Sequence, residues 1–559
     1  MQDRRNQQHP NNVKNFSQKS LDYLQTSVFI RGLKTLKATW QLGSKYVRKL
    51  ATNGIKVRGR HGGATPTKSL FPFASKVRPI AWILTLTFLL FSSLMPALAS
   101  SAKHYTELNF SPLPEIKLPN YSRFQLENGM VVYLMEDHEL PLVSGTALFK
   151  TGDRLEPGNK IGLAEIVGTV MRSGGTKRHS ADQLNQLLEQ QAASVETGIG
   201  TTSGSASFSS LSEDLEQVFG LFAEVITEPL FPQEKIDLAK TQLRGSIARR
   251  NDEPDDIASR EFRKLIYGGN SPYARTVEYA TLDNIPREDL QQFYQQYFYP
   301  NNMILGIVGD FDSKAMRSLL QKQFANWKPN PQIKRPGLPA VSQAKQGGVY
   351  LVNQPQLTQS NILMGHLGGQ FNNPDYPALD VLNGVLNGFG GRLFNQVRSR
   401  QGLAYSVYGT WNPAFDYPGM FVAGGSTRSD ATVPFIQSIF TEIKRIQSEP
   451  ITPAELAFAK ESVLNSFVFN FQTPEQTLSR LMRYEYYNYP QDFIFRYQRD
   501  VEKATIKDVQ RVAQKYLQPN KIVTLVVGNG NDIKPPLTTL TKDVIPVDIT
   551  IPEPKKATP

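Results

Sequence analysis

Two stretches decide the fold. Residues 285–311 read IPREDLQQFYQQYFYPNNMILGIVGDF, and residues 504–530 read ATIKDVQRVAQKYLQPNKIVTLVVGNG. Asp289 matches Asp508, Tyr297 matches Tyr516, Pro300 matches Pro519 and Gly309 matches Gly528, at a constant spacing in the chain. Each copy reads as an amphipathic helix closing on Tyr-x-x-Pro-Asn, followed by a buried strand that ends in glycine. Upstream, EPLFPQEKIDLAK from Glu228 and EPITPAELAFAK from Glu449 correspond at nearly the same spacing. Two matches in one order and register predict two homologous α/β domains in an α+β chain.

The rest of the chain divides around these copies. Residues 108–327 form the first unit, which opens with FQLENGMVVYLM (124–135), a hairpin signal around Asn128-Gly129. Residues 328–348, KPNPQIKRPGLPAVSQAKQGG, read as a linker. Residues 349–530 form the second unit. The tail 531–559 carries six prolines and reads as extended and loosely held.

The net charge of +12 is local. Residues 1–79 carry 16 Lys/Arg against Asp3 and Asp22, while the other 480 residues hold 46 basic and 48 acidic groups. The body is near neutral, which argues against nucleic acid as a partner. The basic arm has the composition of a disordered segment. Within residues 80–99 lies the apolar run AWILTLTFLLFSSLM (81–95), preceded by Lys76 and Arg78 and followed by Ala97-Leu98-Ala99. These are the marks of a secretory signal, with an uncleaved membrane anchor as the other reading. Either way the body is expected outside the cytoplasm, in the periplasm or anchored facing that side. The sequence leaves open whether the arm is translated.

The chain has no cysteine, and its six histidines include no pair at i, i+4 spacing. Its own residues therefore offer no obvious zinc site. His138 and His366 read as surface and packing residues. NGFGGR (387–392) lacks the Lys-Ser/Thr of a phosphate loop and reads as a turn leading into a helix.

The architecture resembles the M16 (pitrilysin and mitochondrial processing peptidase-like) peptidases, in which two homologous α/β domains form half of a clamshell. The resemblance rests on the hairpin, FKTGDRLEPGNKIGLAE (149–165), NSPYARTV (270–277), the Tyr-x-x-Pro-Asn repeat and GGRLFNQVRSRQGLAYSV (390–407). It covers roughly Phe110 to Gly530. Active members carry His-x-x-Glu-His on the first long helix and a distal Glu ligand; the histidines hold Zn²⁺ and the first Glu activates water. The corresponding positions here are Glu165, Gly168, Thr169 and Ser246, so the motif is gone and no metal is expected in this chain.

A second family feature is present, an Arg and a Tyr seven residues apart, matched by Arg398 and Tyr405. The resemblance implies that this pair stabilises the oxyanion in a partner's site, for which a permanent cation and a phenolic donor are suited. The expected function is the non-zinc subunit of a heterodimeric metallopeptidase. A homologous subunit with the intact motif supplies zinc, and peptides or unfolded polypeptides are the substrates. The alternatives are a non-catalytic scaffold or peptide-binding protein, and an autonomous peptidase with a rearranged site.

Overall fold

The computed structural model describes residues 118–333, 337–338 and 340–553. The arm 1–79 and the segment 80–99 lie outside the described residues. Among the described residues no helix is long and apolar enough to cross a membrane.

The first half contains β1 (Ser122–Gln125), β2 (Val131–Glu136), β3 (Leu142–Phe149), α1 (Leu163–Ser173), α2 (Ala181–Gln190), β4 (Ser194–Ile199), β5 (Gly204–Leu211), α3 (Leu215–Thr227), α4 (Gln233–Arg249), α5 (Pro254–Tyr267), α6 (Tyr279–Asp283), α7 (Arg287–Tyr297), β6 (Met303–Gly309) and α8 (Ser313–Phe324). The second contains β7 (Val349–Asn353), β8 (Gln359–Leu367), α9 (Tyr376–Leu386), β9 (Ala404–Asn412), β10 (Met420–Arg428), α10 (Thr432–Ser448), α11 (Pro453–Val468), α12 (Pro474–Tyr487), α13 (Phe493–Lys503), α14 (Ile506–Tyr516), β11 (Val523–Gly528) and β12 (Val544–Pro546).

Two six-stranded mixed sheets result, ordered β1-β2-β6-β3-β5-β4 and β12-β7-β11-β8-β10-β9. The strands that close the two repeated stretches, β6 and β11, are buried at every position and pair in parallel with β2 and β7. They lie inside each sheet, which is why both read as unbroken apolar runs. The helices before them, α7 and α14, turn Leu290, Phe293 and Tyr297, and Val509, Val512 and Ala513, into their cores.

The two halves exchange helices. Phe262 and Ile266 of α5 pack with Val523, Leu525 and Val527 of the second sheet. Reciprocally, Leu478, Leu481 and Met482 of α12 pack with Tyr133, Met135, Ile304 and Val308 of the first. The approach is close: a Cβ on Gly306 would lie 2.2 Å from the Met482 sulfur. Arg123 forks onto Glu485 of α12 at 3.1 and 2.7 Å, and Tyr133 donates its hydroxyl to the same carboxylate. Each sheet thus needs the other half of the chain to cover it.

The tail corrects the sequence reading. It is not loosely held: β12 pairs in parallel with β7, in the place that β1 takes in the first sheet. The Val547 amide then donates to the Leu351 carbonyl, Asn251 donates to the Ile549 carbonyl, and Ile551 packs against the first core. Pro546 sits in this edge strand, where a missing N–H costs nothing in the ladder. Ending the chain at Thr541 is expected to lower unfolding stability by about 2 kcal/mol, from four half-buried aliphatics less their ordering entropy. An unchanged urea midpoint for the shortened chain would contradict the strap.

Candidate functional site

Helix α1 is built to pack. Gly162 precedes it with φ 103°, and the Glu156 carboxylate accepts from the amides of Gly162 (3.1 Å) and Ala164 (2.9 Å). Glu156 is 5% exposed, and burial pushes its carboxyl up to about 7 against the pull of those two amides. Leu163, Ile166, Val167, Val170 and Met171 fill the core. Gly174-Gly175 end the helix, and Ser180 with Gln183 form the capping box that starts α2.

The four degenerate zinc-motif positions do not form a metal site. Glu165 and Thr169 are exposed one turn apart, and Ser246 on α4 gives its hydroxyl to the Gln242 carbonyl. Gly168 is buried against β4: its carbonyl accepts the Thr197 hydroxyl at 2.6 Å, and a Cβ there would lie 2.6 Å from the Ile199 nitrogen and 2.9 Å from Gly198. The general-base position therefore has no room for a side chain. Nor do glycine, threonine and serine supply the imidazoles and carboxylates that Zn²⁺ requires. Among the described residues no group of three or more His, Cys, Asp or Glu could hold a metal ion.

Glu165 instead lines a pocket of about 360 Å³ with Asp153, Arg263, Arg275 and Tyr273. Although Glu165 stays open to solvent, desolvation by the pocket walls, and then the Asp153 charge, raise its carboxyl above the usual range. Arg275 spans the pocket wall and donates to the carbonyls of Asp153 and Glu156.

Arg398 and Tyr405 come together on the second half. Residues Phe394–Arg400 form a π-helical turn, and the Arg398 guanidinium carbon lies 4.7 Å from the ring centroids of both Phe394 and Tyr405. Such wide turns are frequent at functional sites. Tyr405 is 83% exposed for a definite reason. The β9–β10 register runs Ser406↔Ser426 and then Ala404↔Thr427, so Tyr405 is the extra residue of a bulge. Gly409 and Trp411 face the core; simple alternation would have turned Tyr405 the same way, and the bulge re-aims it to solvent. Among the described residues no carboxylate pairs with Arg398.

The loop before this turn is tethered. NGFGGR carries Phe389, 81% exposed and edge-on to Phe394, and ends at the buried Arg392, which forks onto Glu455 at 2.6 and 3.2 Å. Burial raises the Glu455 carboxyl, but Arg392 and the Thr452 amide outweigh it and hold it at about 2. A depressed carboxylate contributes stability above its unfolded pKa of about 4.3, and the contribution fades as pH falls toward 2. Glu455→Ala is expected to cost about 1–2 kcal/mol, discounted for partial exposure, and to flatten the stability profile between pH 4.5 and 2. An acid profile unchanged by the substitution would rule this out.

His138 and His366 serve structure. His366 is buried, and burial lowers its pKa; its Nδ1 meets the Leu367 carbonyl and its Nε2 accepts the Gln518 amide. His138 sits in an exposed turn, paired with Asp310 at 2.7 Å. Two asparagines escaped the sequence reading. Asn383 and Asn387, one turn apart on and just beyond α9, bond the backbone of β9. Their i, i+4 spacing beside a strand was the only available signal.

Residues 131–278 match the family model described as insulinase (peptidase family M16), and residues 284–463 match the peptidase M16 inactive domain. The "Non-peptidase homolog YmxG" of Helicobacter pylori is 24% identical over 402 residues, covering 70% of this chain and 90% of its own length. A peptidase M16 inactive domain from Pseudomonas fluorescens superposes with a TM-score of 0.63 at 25% identity, over 73% of this chain and 98% of that one. A protease structure from Helicobacter pylori, at 21% identity, shares the fold with a TM-score of 0.64, over 73% and 100%. With the duplicated sheets, the helix exchange and the vacated motif positions, these matches establish that the chain belongs to the M16 peptidase family, as a member whose zinc motif has been lost.

Proposed function

We propose that this chain is the non-zinc half of a two-chain M16-type metallopeptidase that acts on peptides or unfolded segments. A homologous partner chain with an intact His-x-x-Glu-His supplies the metal and the general base. This chain supplies binding surface and two donors to the peptide backbone and developing oxyanion. The observation that carries the reading is the pair Arg398 and Tyr405, with the guanidinium 4.7 Å from a tyrosine ring that a bulge turns to solvent, on a chain whose first helix has no room for its own catalytic carboxylate. A guanidinium that keeps its charge and a rigid phenol suit a tetrahedral oxyanion. Export, with residues 80–99 as signal or anchor, is part of the same proposal.

The test is affinity purification of the tagged chain from the membrane and exported soluble fractions. Recovery of a zinc-motif M16 chain at equal stoichiometry is expected. Recovery of the chain alone, or only with copies of itself, would remove the proposal. A second reading, a non-catalytic scaffold or peptide-binding protein, is favoured by the similarity to the Helicobacter pylori non-peptidase homolog. Under that reading an M16 partner's turnover is indifferent to Arg398 and Tyr405.

A further inference from the structure

Strand β9 is the outermost strand of the second sheet. One side of it pairs with β10; the other faces away from the sheet. On that outer side two asparagines take the place of a neighbouring strand. Asn383 accepts the Trp411 amide at 2.7 Å and donates to the Trp411 carbonyl at 3.0 Å. Asn387 accepts the Gly409 amide at 2.9 Å and donates to the Gly409 carbonyl at 2.7 Å.

The spacing explains why this works. Four residues of helix rise about 6 Å and two residues of strand about 6.8 Å, so one helical turn matches successive outward residues. A carboxamide carries donor and acceptor side by side, as a peptide group does. Both amides are fixed in orientation: Asn383 also donates to Asp380 at 3.1 Å, and Asn387 also donates to the Asn383 carbonyl at 2.9 Å.

The first half differs. There α1 gives the outer side of β4 one such bond, from Arg172 to the Val195 carbonyl. In the second half, Val407 shares the outward parity of Gly409 and Trp411, lies just beyond the two asparagines, and is followed by the bulged Tyr405.

We infer that Asn383 and Asn387 close the outer edge of β9 at Gly409 and Trp411, confining strand-like pairing of an extended polypeptide on this domain to the Tyr405–Val407 segment. The inference rests on the peptide-binding part of the proposed function. It makes the two asparagines positioning residues. A chain that reaches β9 cannot slide toward Trp411, so its backbone stays in register beside Arg398 and Tyr405. An unclosed edge of this kind also invites unwanted strand pairing.

Site-resolved amide hydrogen exchange on the full chain tests this, with and without an unstructured probe peptide of about 12 residues built from Thr, Val and Lys, able to add as a strand. In Asn383→Ala/Asn387→Ala the Gly409 and Trp411 amides are expected to exchange about 100-fold faster or more. The probe's footprint, limited to Val407 and its neighbours in the natural chain, is expected to spread to Gly409 and Trp411. Where the double variant does not fold, the single variants decide: Asn383→Ala should release Trp411 alone and Asn387→Ala Gly409 alone. Unchanged exchange at both amides overturns the inference, as does a footprint that stays at Val407 once those amides are free. If the probe leaves no footprint on β9 of either protein, the peptide-binding reading of this domain fails and takes the inference with it.

Discussion

Gly168→Ala destabilises this chain, against the usual sign for such a change inside a helix. Replacing an interior helical glycine with alanine ordinarily gains about 1 kcal/mol. Here the added Cβ meets backbone, 2.6 Å from the Ile199 nitrogen and 2.9 Å from Gly198, where no flexible side-chain end can yield. Forcing atoms into a packed contact costs about 1–3 kcal/mol, and more when backbone must move. The clash outweighs the propensity, and a net loss of about 2 kcal/mol is expected for alanine, rising to 3 or more for glutamate. Rebuilding the motif with Glu165→His, Gly168→Glu, Thr169→His and Ser246→Glu is therefore expected to fail. The protein loses stability and takes up no stoichiometric zinc, whereas Glu165→His with Thr169→His, both at exposed positions, leaves the unfolding midpoint nearly unchanged. Urea unfolding and elemental analysis of the purified variants read both outcomes. A rebuilt chain that is stable and holds one zinc would show that only ligands were missing and that the steric argument is wrong.

That distinction between lost ligands and lost space marks where the sequence stops being legible. Glu165, Gly168, Thr169 and Ser246 could be read off by laying the family's zinc motif over the sequence, but the approach of α1 to β4 could not. The repeated stretches announced α7, β6, α14 and β11, because helix and buried strand have different periods. The same patterns gave α5 and α12 apolar faces without saying which sheet each covers, and each covers the sheet of the other half. The tail looked loose because prolines depress strand propensity, yet an edge strand tolerates them and β12 is one. Arg398 and Tyr405 were singled out by the family resemblance, whose Arg/Tyr interval they match. The exposure of Tyr405 depends on a bulge, which alternation assigns to the wrong face. Asn383 and Asn387 carried no signal beyond their interval, since their meaning lies in a strand twenty-two to twenty-eight residues onward.

In a reconstituted pair with a zinc-motif partner, Tyr405→Phe and Arg398→Ala are each expected to lower kcat by about 10²–10³, the loss seen when one preorganised oxyanion donor is removed, or about 2.7–4 kcal/mol. Tyr405→Phe is the cleaner probe. It keeps the ring against which the Arg398 guanidinium lies and removes only the hydroxyl, so the packing of Phe394, Arg398 and Tyr405 is retained. Arg398→Lys keeps a cation but loses the planar fork and its stacking, so part of the effect should persist. The two positions share one stack, and their double variant should lose less than the product of the single losses. Because the donors act where charge develops, kcat should fall while assembly and peptide affinity, measured by sedimentation and by anisotropy of a labelled peptide, stay within about twofold. A uniform loss of binding with kcat intact would make the pair a peptide clamp. Full turnover in all three single variants would leave this half of the molecule as wall and scaffold, with no part in the chemistry.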